Sequence, residues 1–153
     1  MKRGLLVGVV AAAVVVAGLT GCSSGKSGTG AGSSSGAPLA NGVIVDGQNQ
    51  NVAGSVSCQP AGDNVNIGFG DPNSASNGVG AVVTSANPPD VHAVGLGVVN
   101  GVTLGYSDAV SGQGSASVTL TGKSYKITGT AVGVDPNSQQ QVSKPFELDL
   151  TCP

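Results

Sequence analysis

Val94-Gly95-Leu96-Gly97-Val98-Val99-Asn100-Gly101-Val102-Thr103-Leu104-Gly105-Tyr106 places two apolar runs on either side of an Asn-Gly pair. That pair accepts the positive backbone dihedrals of a two-residue turn, so the stretch predicts a β-hairpin. The same period of two recurs at Val65, Ile67 and Phe69. It recurs again at Val118 and Leu120, answered by Tyr125, Ile127 and Ala131, and at Phe146, Leu148, Leu150 and Cys152. Alternation of this kind puts each set on one face of a strand. Thr121-Gly122-Lys123-Ser124 marks a second hairpin, and Asn87-Pro88-Pro89-Asp90 forbids ladder pairing before the next run. Asn, Asp, Pro and Gly break the pattern every eight to twelve residues or so, and helical periodicity is absent after the amino-terminal segment. The expected fold is all-β, an antiparallel β-sandwich of about eight short strands with one disulfide.

Roughly 110 residues, 43–153, carry this pattern, enough for one domain. The aromatic residues are Phe69, Tyr106, Tyr125 and Phe146, so small β-branched side chains and glycine must fill the interior. Glycines in strands have two readings. They allow close backbone approach and a thin core, or they leave room for an acyl chain between the sheets. Of the three cysteines, Cys58 falls in phase with Val52 and Val56, and Cys152 with Leu148 and Leu150. Both sulfurs then face the core. In an oxidising compartment these two thiols pair, closing most of the domain and stabilising it by about 4 to 5 kcal/mol in the chain-entropy model.

The third cysteine explains the compartment. Lys2 and Arg3 precede an uncharged apolar run that closes on Leu19-Thr20-Gly21-Cys22. The run is shorter than the ~20 residues that cross a bilayer and ends in small residues, as a cleaved signal does. Leu three positions before the cysteine, with Gly directly before it, reads as a bacterial lipobox. Residues 1–21 are then the signal peptide, cut between Gly21 and Cys22, and the Cys22 thiol carries a diacylglyceryl group. With a second acyl group on the new amino terminus the anchor is firm. Residues 22–42 are rich in Ser and Gly, with Lys26 their charge and no aromatic residue. Such a composition stays unfolded as a tether spanning about 25 Å. Thr29 and the run Ser33 to Ser35 are candidate glycosylation sites.

Loss of Lys2 and Arg3 leaves four lysines against eight acids, so the mature chain is acidic. No basic stripe exists to neutralise phosphates, which excludes nucleic acid as a partner and leaves membrane attachment to the acyl group. A catalytic reading rests on Asp90 and His92, two apart and so on one face of a strand, as an acid orienting an imidazole. No Gly-x-Ser-x-Gly elbow accompanies them, and the expectation is no catalytic residue and no enzyme. Asp71, Asn73 and Asn77 near Gly78 resemble a calcium loop in composition but lack its spacing and closing Glu, so no metal or other cofactor is expected.

Lys2-Arg3-Gly4, Cys22-Ser23-Ser24, Asn64-Val65-Asn66-Ile67, Val94-Gly95-Leu96-Gly97, the stretch Val99 to Tyr106, Tyr125 to Ala131 and the ending Phe146 to Cys152 resemble the mycobacterial 19-kilodalton lipoprotein antigen family, the LpqH type. The likeness runs the length of the chain. It implies an immunodominant lipoprotein of the cell envelope, anchored outside the cytoplasm and in part shed or secreted. Its acylated terminus at Cys22 would be sensed by the host Toll-like receptor for bacterial lipopeptides. The linker departs from the family pattern, in which threonine clusters carry mannose.

Three functions follow as expectations: a surface antigen and interaction protein, a lipid or glycolipid carrier, and, last, an envelope enzyme. The first predicts a dry core with a glycan- or protein-binding face. The second predicts acyl chains bound between the sheets.

Overall fold

A computed structural model describes residues 41–71, 73 and 78–153. The signal, the cleavage and lipidation site at Gly21 and Cys22, Thr29, the Ser33 to Ser35 run and Asn77 lie outside the described residues.

Ten strands and no helix make up these residues: β1 Gly42–Val45, β2 Gln48–Asn49, β3 Ser55–Ala61, β4 Asn64–Gly70, β5 Val79–Thr84, β6 Val91–Val99, β7 Val102–Ser107, β8 Ser115–Thr121, β9 Ser124–Val134 and β10 Gln141–Thr151. Every pairing is antiparallel. The β6–β7 hairpin turns on Asn100 and Gly101, whose φ values of 50° and 83° are those a two-residue turn of its type requires.

The expected eight-stranded sandwich gives way to one continuous sheet, in the order β2-β1-β10-β9-β7-β6-β5-β4-β3 with β8 beside β9. The reason is the length of β9. Its first half pairs with β8, while Val132 farther along faces Gly105 of β7. One strand thus joins what would have been two sheets. Glycines permit the junction. A Cβ on Gly129 would run into the backbone of Ser115 and Ala116, and one on Gly133 into the Thr103 carbonyl and the Val102 side chain. Both positions serve close approach of strands and enclose no empty space.

The sheet curls strongly. Five strands separate β10 from β3 along the path, so in a flat sheet they would stand about 29 Å apart. Yet the disulfide between Cys58 of β3 and Cys152, just past β10, brings their Cα atoms to 5.8 Å. Two bulges help the bending, at Val82/Val83 opposite β6 and between Gly95 and Gly97 opposite β7. The concave face holds a single cluster that includes Val43, Ile67, Val83, Leu104, Ile127 and Leu148, with no buried polar side chain among the described residues.

All of these core residues lie between Val43 and Leu150, within the compact unit Ser35–Pro153. Core, sheet and bridge are therefore complete within residues 42–153, which have what they need to fold on their own.

Candidate functional site

His92 is placed by a bulge. Val82 pairs with Ala93 and Val83 with Val91, leaving His92 as the extra residue on β6. A bulge shifts the inward–outward phase, and accordingly Val91 and Val94 are both buried while His92 is partly exposed. Asp90 and His92 stay on either side of buried Val91, as alternation predicts, and the phase breaks only beyond His92. The imidazole meets Asp108, with Nδ1 2.6 Å from Oδ2, and the Asp108 backbone N–H donates to the His92 carbonyl at 3.0 Å. The backbone N–H of Asp90 donates to Thr84 Oγ1 at 2.8 Å. The acid partner of His92 is thus one that sequence spacing did not suggest; pairing β6 with β7 across the Asn-Gly turn was the signal for it. The pair is solvent-exposed on both sides, and no serine hydroxyl among the described residues bonds to the ring. As it stands this is a surface ion pair when the imidazole is protonated, without a nucleophile to activate.

Asp71 behaves as a turn residue. Its Oδ1 accepts from the Asn73 backbone N–H at 2.8 Å and from Asn73 Nδ2 at 3.2 Å. Among the described residues no group of three or more His, Cys, Asp or Glu side chains is placed to hold a metal ion.

Among the described residues, clefts break the surface in several places. One of about 210 Å³ opens at the end of the sheet over Val45, Leu104 and Val142, its rim closed by Lys144 and Asp46 at 2.6 Å. Another, of about 250 Å³, lies beside Asp71 between the ends of β3 and β4. A third, of about 310 Å³, runs over the hydroxyl-rich outer face at Thr119, Thr121, Lys126 and Asp149. The first two fall below, and the third stands at the lower limit of, the roughly 300 to 1,000 Å³ typical of small-molecule sites.

Charge on the outer face centres on Lys126, which lies 2.7 Å from Glu147 and 3.5 Å from Asp149. The hydrogen bond to Glu147 raises the Lys126 pKa above its ordinary value. Asp149 is also raised, first by burial; the attraction of Lys126 opposes this and the nearby Glu147 charge adds to it. The two shifts act oppositely on the pair: Lys126 is favoured in its charged form, chiefly by Glu147, while desolvation disfavours the charged form of Asp149.

Comparison with known proteins places this geometry in context. The family model described as Mycobacterium 19 kDa lipoprotein antigen matches residues 34–152. The chain is 53% identical to the lipoprotein LpqH of Mycobacterium tuberculosis over 162 residues, covering 99% of each chain. It is 58% identical over 111 residues to the lipoprotein LpqH of Mycobacterium avium, covering 72% of this chain and 66% of that one. A putative lipoprotein of Mycobacteroides abscessus is 34% identical over 159 residues, 99% of each chain.

Proposed function

The chain belongs to the Mycobacterium 19 kDa lipoprotein antigen family, and from that premise we propose that it is a non-enzymatic, lipid-anchored antigen of the cell envelope. It acts through two parts: an acylated Cys22 that a host Toll-like receptor for lipopeptides senses, and a curled β domain that presents its outer surface. The observation that carries this reading is the full-length match, which extends through the segment holding Leu19-Thr20-Gly21-Cys22. The interior supports the surface-acting reading over the carrier reading, because the glycines at the β8–β9 and β7–β9 contacts press on backbone.

In a mycobacterial host, Cys22→Ala should accumulate as uncleaved precursor without fatty-acid label, and purified variant protein should fail to activate reporter cells bearing the receptor. Normal cleavage before residue 22, or equal activation by the unacylated variant, overturns the proposal. Native mass spectrometry of residues 23–153 exported from the same host should give the bare mass. Stoichiometric co-purified lipid would transfer the assignment to a carrier.

A further inference from the structure

The path of the sheet ends at β2 and β3, and β8 is bonded to β9 alone. Open edges invite strand addition, and folded proteins usually blunt them. Here β2 is only two residues long. In β3 the register Ser57↔Gly68 and Gln59↔Asn66 sends the backbone groups of Val56, Cys58 and Pro60 outward. Pro60 has no N–H to offer, and Cys58 is tied into the disulfide.

β8 has none of these devices. It is seven residues, Ser-Ala-Ser-Val-Thr-Leu-Thr, without proline or charge. The two-residue turn at Gly122 and Lys123 makes Thr121↔Ser124 a hydrogen-bonded pair, so Ser115, Ser117, Thr119 and Thr121 bond to β9. The N–H and C=O groups of Ala116, Val118 and Leu120 therefore point away from it. On the apolar face of this edge, Leu120 is 38% exposed.

We propose that β8 is a self-association edge, pairing antiparallel with β8 of a second copy about a twofold axis at Val118. The sequence of the strand selects this occupant. Centred on Val118, each Ala116 meets Leu120 of the second copy, small against large, and the apolar face continues across the junction. On the other face Ser117 meets Thr119 of the second copy, a hydroxyl pair favoured across strands. The nearest charge, Lys123, falls opposite Gln113 of the second copy, so no like charges meet although both copies are acidic. A single pair of seven-residue strands covers far less than the roughly 1,600 Å² of a stable interface, so the dimer is weak and forms where copies are concentrated.

Amide exchange of residues 23–153, followed by NMR from dilute to concentrated solution alongside sedimentation, tests the proposal. The amides of Ala116, Val118 and Leu120 should slow at least about tenfold as dimer appears, while those of Ser117 and Thr119 are slow throughout. Leu120→Lys, which adds a charge to the edge, and Val118→Pro, which removes an outward N–H that β9 does not use, should each abolish the change. Exchange independent of concentration would overturn it. So would a dimer that leaves the three amides fast, or one that persists undiminished in both variants.

Discussion

Asp149 lies 3.5 Å from the Lys126 ammonium, yet desolvation holds its pKa above the ordinary carboxylate value. A carboxyl raised on folding favours the protonated native state, so its contribution is present at low pH and is lost as pH rises from its unfolded pKa, about 3.9, through the higher folded one. Asp149→Asn should therefore match the parent near pH 3 and exceed it in stability near pH 7, as read by denaturant unfolding at each pH. A variant less stable at neutral pH would mean that attraction to Lys126 outweighs burial. Lys126 has the complementary alkaline limb: its contribution is present below its unfolded pKa and fades as pH climbs past about 10.4 through the raised folded value. In the exposed pair of His92 and Asp108, Asp108→Asn is expected to shift unfolding by less than about 1 kcal/mol at neutral pH. The Asn-Gly turn pointed to the right strand but not the right residue: counting from the turn sets His92 opposite Ala109, and the bulge between Gly95 and Gly97, which has no local signature, moves it opposite Asp108. By contrast the burial of Ile67, Phe69, Ile127, Phe146, Leu148 and Leu150 was legible, since regular alternation runs through β4, β10 and the first part of β9.

Among the elements, β9 decides the architecture. Its period of two holds from Tyr125 to Ala131 and breaks at Val132, buried next to Ala131, where the strand changes partner from β8 to β7. The exchange requires partners to approach at Gly129 and Gly133, where glycine could equally have meant a void. Gly129→Ala should therefore destabilise the domain by about 1 to 3 kcal/mol through overpacking, lowering the melting temperature by several degrees. A neutral effect would show that β8 can stand off from β9. The Asn100-Gly101 hairpin was plain in the sequence because the turn chemistry is local. Asp46-Gly47 carries the same signal, with φ values of 54° and 75°, and marks the short β1–β2 turn that a count of about eight strands omits.

Across the whole molecule, the bridge joins positions 94 residues apart and holds the curl that the strand order alone leaves open. Replacing both cysteines by serine should cost about 2 to 5 kcal/mol, measured by chemical unfolding. It should also speed amide exchange in β3 before the central strands. Uniform loss across the sheet would indicate that the bridge acts on the unfolded chain alone. The phase of both cysteines could be read from their neighbours, whereas closure of a single sheet could not, because it depends on contacts between strands distant in sequence.

The arrangement around Asn41 has a mechanical side. The chain comes into the sheet there, where the Asn41 side-chain oxygen accepts the Thr151 N–H at 2.8 Å, and β1 then runs antiparallel along β10 from Asp149 to Phe146. The far side of β10 is knit to β9 over eleven residue pairs, and its end is bolted to β3 beside Cys152. A pull on the amino-terminal segment is thus handed from β1 to the most firmly held strand and, through a covalent link, to the opposite margin of the sheet. Tension applied at Asn41 would be passed on through the whole shell, and β1 would be the strand that slips first.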